Sequence, residues 1–195
     1  MSNPAVGRGN LLIVALMAAF WITPMVQFWA AVFGPLRPFS YPDGDLAPPL
    51  HWMVAGVAFC FLPCLLPRAY YRVAPAHRAR RLYEALGVRI FKAFATDGDR
   101  INRRARRVDP RYRVIRDRSA VDCFEAGTMA GERSHLVLLL VGLCSGVFAL
   151  RIGWHGWAAG LTAANVIFNL YPVLLQRYNR ARIARLRGRW GQPAA

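Results

Sequence analysis

Apolar and polar residues are segregated into long blocks along the chain. Four blocks are predominantly apolar: "LLIVALMAAFWITPMVQFWAAVF" (Leu11–Phe33), "LHWMVAGVAFCFLPCLLP" (Leu50–Pro67), "LVLLLVGLCSGVFAL" (Leu136–Leu150) and "WAAGLTAANVIFNLYPVLL" (Trp157–Leu175). A helix needs about 20 apolar residues to span a bilayer, with roughly 17–25 tolerated. The first and fourth blocks are long enough outright. The second is long enough if its helix runs on to Tyr70, and the third if it starts before His135 or ends at Trp154. The pattern predicts an all-α integral membrane protein with about four transmembrane helices. These lie over 11–33, 50–70, 136–154 and 157–175, with an interfacial segment over 71–135 and a basic tail over 176–195, in a single membrane domain spanning 1–195.

Between the second and third blocks the periodicity changes but does not vanish. "RLYEALGVRIFKAF" sets Leu82, Leu86, Ile90 and Phe94 at successive i,i+4 positions, with Arg81, Arg89 and Lys92 mostly elsewhere around the helix. That is the pattern of an amphipathic helix lying in the headgroup plane. "TDGDR" ends it with a turn, and the strongly basic "INRRARRVDPRYRVIRDR" follows, broken at Asp109-Pro110. On the fourth block Thr162, Asn165, Asn169, Pro172 and Gln176 fall on one helical face. Polar groups inside a span are costly unless they meet a partner or a cavity, so this stripe is either interhelical glue or the wall of a cavity.

Charge sets the orientation. The chain has 195 residues, 55% of them hydrophobic, yet a formal net charge of +16. The connector 34–49 holds one Arg and two Asp, and "RIGWHGW" one Arg. The segments Arg68–Arg133 and Arg177–Arg189 hold nearly all the rest. The positive-inside rule therefore predicts a multi-pass protein of the cell membrane, with both termini and the middle loop in the cytoplasm. The first block is too long for a signal-peptide core and ends without a small-x-small site, so a retained anchor is expected. Cys60, Cys64, Cys123 and Cys144 form no CxxC pair; free thiols, no disulfide and no zinc are expected. The basic run would attract anionic headgroups. Nucleic acid would feel the same charge, but no reading module accompanies it, so no nucleic-acid partner is expected.

Candidate chemistry gathers at one end of these helices. In "CFEAGTMAGERSHLVLLL" a helix puts Glu125, Glu132 and His135 in a narrow sector. A carboxylate one turn from an imidazole can fix its tautomer and favour its protonated form, which makes His135 with Glu132 a workable general base. The alternative is that Glu132 and Arg133 solvate a helix end. A di-iron centre needs a second Glu-x-x-His, and the sequence has none, so no metal is expected. His51, His77 and His155 have no acidic residue at helical spacing. Gly142 and Gly146, with Gly156 and Gly160, predict close packing of the third and fourth blocks. That hairpin brings His135 to the same end as Gln176, Arg177, Tyr178, Asn179, Arg180 and Arg182.

"NLYPVLLQRYNRARIARL" (Asn169–Leu186) resembles the C-terminal signature of the glycosyl-4,4'-diaponeurosporenoate acyltransferases. "GERSHL" is similar to that family's Glu-x-x-His segment ahead of an apolar run, and "LGVRIFK" to a further shared motif. The resemblance covers roughly Tyr83 to Arg187. It implies a membrane enzyme that adds a fatty acyl group to the sugar of a glycosylated carotenoid, as in the last step of staphyloxanthin synthesis. It marks Glu132, His135, Asn169, Pro172, Gln176, Arg177, Tyr178, Asn179, Arg180 and Arg182.

The combined expectation is acyl transfer from an activated thioester to a hydroxyl of a glycosylated lipid or carotenoid. His135 and Glu132 would be catalytic. Asn165, Asn169, Gln176, Arg177, Tyr178, Asn179, Arg180 and Arg182 would bind substrate. No cofactor would be held tightly; acyl-CoA or acyl carrier protein would be the donor, and a lipid-linked acceptor and the anionic bilayer would be the partners. No Gly-x-Ser-x-Gly elbow and no Cys–His pair appear, so direct transfer is expected rather than an acyl-enzyme. The competing expectation is a non-enzymatic protein that binds anionic lipid or scaffolds a pathway. A small transporter fits less well, since no acidic residue lies within a span and no inverted repeat is visible.

Overall fold

The computed structural model describes residues 4–34, 47–72, 77–115 and 118–189. Most of the connector 34–49 and the end of the tail, 190–195, lie outside the described residues. The described elements are helical. In chain order they are α1 (Pro4–Met17), a π-turn (Ala18–Ile22), α2 (Thr23–Val32), α3 (Leu50–Cys60), a 3₁₀ turn (Leu62–Leu65), α4 (Arg68–Tyr71), α5 (His77–Ala85), α6 (Val88–Phe94), α7 (Asp99–Val108), α8 (Arg118–Arg151), α9 (His155–Asn165), a second π-turn (Val166–Leu170) and α10 (Tyr171–Arg189).

Among the described residues three helices are long and apolar enough to cross a membrane: Val6–Val32, Arg118–Arg151 and His155–Arg185. This is a membrane protein. The second apolar block differs from expectation. Its helix does not run on to Tyr70 but stops at Cys60, giving an apolar helix of 11 residues. Pro63 is the physical reason: it lacks the N–H that would bond to the carbonyl of Phe59, and its ring would clash there. Pro67 then starts α4. The third block exceeds expectation. α8 has 34 residues, about 51 Å at 1.5 Å per residue, because the polar stretch before His135 continues the same helix.

The expected amphipathic helix is two helices. Gly87, at φ 74°, takes the left-handed conformation that glycine adopts without a Cβ penalty and breaks the run between α5 and α6. Leu82, Leu86, Ile90 and Phe94 are all exposed, so most of the apolar face read from the sequence lacks apolar protein cover among the described residues, with Arg100 lying over the Phe94 ring at 3.9 Å.

The chain forms two compact units, 1–15 with 66–135 and 171–195, and 16–65 with 136–170. In the second unit, Phe28 is the centre of an aromatic core. Its ring lies edge-on to Trp29 at 5.3 Å and to Trp154 at 5.9 Å. Trp29 stacks on Phe148 at 5.4 Å and donates its indole N–H to the Ser145 hydroxyl at 3.0 Å. In the first unit, α10 packs on α5 and α6 through Leu175, Tyr178, Val88 and Ala95.

Both π-turns precede a proline, Pro24 and Pro172. A proline has no N–H to donate to the i→i−4 ladder, and a wider turn re-satisfies the freed carbonyl. At the first turn the Thr23 backbone N–H makes the wide bond to the Ala18 carbonyl, to which its hydroxyl also donates at 3.0 Å.

Candidate functional site

The two polar ends of α8 and α10 are registered by charge. Glu132 is 0% exposed. Its Oε1 accepts from Arg177 Nε at 2.7 Å, and its Oε2 accepts from Arg180 Nη2. Seven residues earlier on α8, Glu125 pairs with Arg187 at 2.8 Å, and Asp122 also accepts from Arg187. Glu125 and Glu132 are spaced as Arg180 and Arg187 are, in opposite chain directions. The ladder therefore fits two antiparallel helices. That shared spacing was visible in the sequence, and it was the signal that Arg187 belongs to the cluster.

Arg180 is 2% exposed, and its Nε and Nη1 have no hydrogen-bond partner. Arg177 and Arg180 outnumber the Glu132 carboxylate, and Asp122 and Glu125 outnumber Arg187, so the charges of the ladder balance as a whole. Tyrosines line it: Arg177 lies over the Tyr70 ring at 5.0 Å and Arg133 over the buried Tyr71 ring at 5.3 Å. Such faces favour cations electrostatically.

Neighbouring residues of α10 point to different surroundings. Tyr178 is buried against α6, and its hydroxyl donates to Glu84 Oε1 at 3.3 Å. Gln176, Asn179 and Arg182, three residues apart, share a face and line a cavity of about 580 Å³ with Lys92, Asp99 and Asn102. Gln176 also meets α8 at Gly131. A Cβ on Gly131 would stand 3.1 Å from its side-chain nitrogen. His135 is half-buried; by helical period it continues the face of α8 that carries Phe124, Thr128 and Gly131, of which Phe124 and Thr128 line the cavity.

Asn165 and Asn169 serve packing in the second unit. Asn165 Nδ2 donates to the Leu139 carbonyl at 2.9 Å, and Asn169 Nδ2 donates to Asn165 Oδ1 at 2.8 Å. Both are buried. Gly142 makes room for them, since a Cβ there would stand 2.3 Å from Asn165. Of the two readings of the polar stripe, the geometry of these two residues is that of interhelical glue; neither lines the described cavity.

Residues 67–189 match the family model for glycosyl-4,4'-diaponeurosporenoate acyltransferase. The chain belongs to this acyltransferase family. The match takes in α8, α10, the Glu132 cluster and the cavity, and it omits α1 to α3. No curated protein and no solved structure matches the chain. Within this acyltransferase the signature is thus divided by the fold. Arg177 and Arg180 hold Glu132, Tyr178 holds Glu84, and Gln176, Asn179 and Arg182 face open space. Besides Arg187 and Arg106, the candidates not singled out from the sequence include Asn102 and Arg113. Asn102 is buried within a basic helix, and Arg113 lies beyond Pro110. No periodic pattern marks either, because the turn at 95–98 and the loop after α7 bring them to the cavity.

Proposed function

We propose that this membrane protein transfers a fatty acyl group from an activated thioester to a hydroxyl of a glycosylated lipid or carotenoid. The observation that carries the reading is that the family match contains a polar, basic cavity on the Gln176–Asn179–Arg182 face of α10. In the reaction the acceptor oxygen attacks the thioester carbonyl, and a C–O bond forms as the C–S bond breaks. His135 takes the hydroxyl proton and returns it to the departing thiolate. Amide and guanidinium donors of α10 stabilise the developing oxyanion. Glu132 is a positioning residue: by holding Arg177 and Arg180 it sets the rotation of α10, and with it which side chains face the cavity. The donor is acyl-CoA or an acyl carrier protein, and no cofactor is held tightly.

The membrane arrangement accords with the same reading. The first unit collects the N-terminal end, the basic segments and the whole of α10. Their charge places them at the cytoplasmic face, which requires the chain to return between Phe33 and Pro67. We assign that return to the apolar segment 50–65, which is shorter than a full span and so calls for local thinning of the bilayer. The exposed Leu82, Leu86, Ile90 and Phe94 rest in the headgroup layer, with the arginines of α7 near anionic lipid. No nucleic-acid partner is proposed.

Comparative lipidomics tests the reading, using cells with the wild type, with His135→Ala or with no copy, in a host that makes glycosylated carotenoid. Expected is a heavier, acyl-bearing glycolipid with the wild type only, at equal membrane levels of the two proteins. The same product with His135→Ala would remove His135 as the base. Three identical profiles would favour the lipid-binding scaffold, which the exposed basic face of α7 also suits.

A further inference from the structure

The cavity in the first unit holds more unsatisfied polarity than an acceptor hydroxyl needs. Arg106 comes from α7, Arg113 from the loop after it and Arg182 from α10. Among the described residues none of the three has a carboxylate partner. Arg113 Nη1 donates only to the carbonyls of Pro110 and Tyr112, at 3.1 and 3.0 Å, and Arg182 lies 6.0 Å from the Tyr178 ring. The fourth cation, Lys92, is neutralised by Asp99 at 2.6 Å. Asp97 accepts the Asn10 amide at 2.9 Å through its Oδ1 and keeps its charge. Lys92, Arg106, Arg113 and Arg182 therefore face two carboxylates, Asp97 and Asp99, and the lining keeps an excess of positive charge that attracts an anion.

A second observation is independent of the arginines. Asn102 is 8% exposed and lines the same cavity. Its amide nitrogen donates to the Asp97 carbonyl at 2.6 Å, which fixes the orientation of the group, and its Oδ1 has no donor. A buried acceptor gains from an N–H or O–H brought to it. An anionic occupant that also carries such a donor would match both features of the cavity. A volume of about 580 Å³ is in the range that accommodates a mid-sized organic ligand.

We propose that this cavity binds the phosphopantetheine carrier of the acyl donor. Its phosphate is held by Arg106, Arg113 and Arg182, and one of its amide N–H groups donates to Asn102 Oδ1. This rests on the acyl-transfer reading and gives it a donor site, separate from the Arg177–Arg180 pair that Glu132 occupies. The same chemistry occurs in coenzyme A and on a holo acyl carrier protein.

The test uses the full chain in phosphatidylcholine nanodiscs. The probes are coenzyme A, holo acyl carrier protein and pantetheine, which lacks phosphate, and a parallel set of nanodiscs contains phosphatidylglycerol. Arg106 and Arg113 are exposed, so Arg106→Ala/Arg113→Ala tests the phosphate contact without emptying the core. Expected is binding of coenzyme A or of the holo carrier protein, weakened about tenfold or more by the double variant, as loss of charge-assisted bonds implies. Pantetheine binding should ignore the double variant and fall with Asn102→Leu. Whichever phosphate-bearing probe binds identifies the source. Failure of both to bind the wild type, or equal binding to the double variant, overturns the proposal. So does a double variant whose only defect is in phosphatidylglycerol nanodiscs. Acyl transfer seen by lipidomics alongside either negative result would sink this site while leaving the proposed function standing.

Discussion

Glu132 is the residue on which the first unit's electrostatics turn. It is wholly buried between two guanidinium groups, one of them on a side chain that is itself 2% exposed. Removing one partner of a buried ion pair leaves an uncompensated charge and costs about 3–5 kcal/mol, whereas replacing all partners with apolar groups is often neutral. Glu132→Gln should therefore lower thermal stability in detergent strongly. Glu132→Met combined with Arg180→Met should recover much of the loss, a coupling that a double-mutant cycle measures. Equal, additive losses would show that the pair does not act as a unit. His135 should give the opposite outcome. His135→Ala should leave the melting temperature nearly unchanged while acyl transfer falls about 10²–10⁴-fold, the range for loss of a general base. A large drop in stability would instead assign His135 a packing role.

At the scale of elements, two glycines mark places where neighbouring atoms leave no room for a side chain, backbone atoms at Gly98 and the Asn165 side chain at Gly142. Gly98 closes the turn before α7, where a Cβ would stand 2.3 Å from the Lys92 carbonyl and 2.5 Å from that of Ala95. Backbone atoms cannot give way cheaply, so Gly98→Ala should destabilise by about 1–3 kcal/mol and displace Asn102 and Lys92 from the cavity wall. Loss of coenzyme A binding together with a lowered melting temperature would show both effects. Gly142 is the counterpart in the second unit, facing the Asn165 amide at 2.3 Å. Gly142→Ala should force Asn165 off the Leu139 carbonyl and loosen α8 against α9. The readout is faster hydrogen exchange at the amides of α9 and the following π-turn, and unchanged protection there would mean that the hairpin can absorb a methyl group.

At the scale of the whole molecule, the prediction concerns sidedness. With Cys60, Cys64, Cys123 and Cys144 replaced, single cysteines can be placed at Arg103, His155 and Gly188, all exposed. A membrane-impermeant maleimide should reach Arg103→Cys and Gly188→Cys from the cytoplasmic face and His155→Cys from the other. Opposite labelling of positions 103 and 188 would mean an odd number of crossings between them and would overturn the proposed arrangement.

Composition and period alone determined the long apolar helices, the basic segments, the break before Pro110 and the family signature, whereas the break at Gly87 appeared only in the structure. The former are local properties, because a proline or a run of leucines acts on its own backbone wherever the chain goes. Tertiary structure decided the rest. Helical period put Asn165, Asn169 and Gln176 on one face, yet the two asparagines lie in packing and Gln176 lines a cavity. Spacing paired Glu132 with His135, but both of its oxygens also meet α10. The cavity itself joins α7, the loop after it, α8 and α10, segments far apart in sequence. Which buried charge finds which partner depends on helices meeting across long separations, and no local pattern encodes that choice.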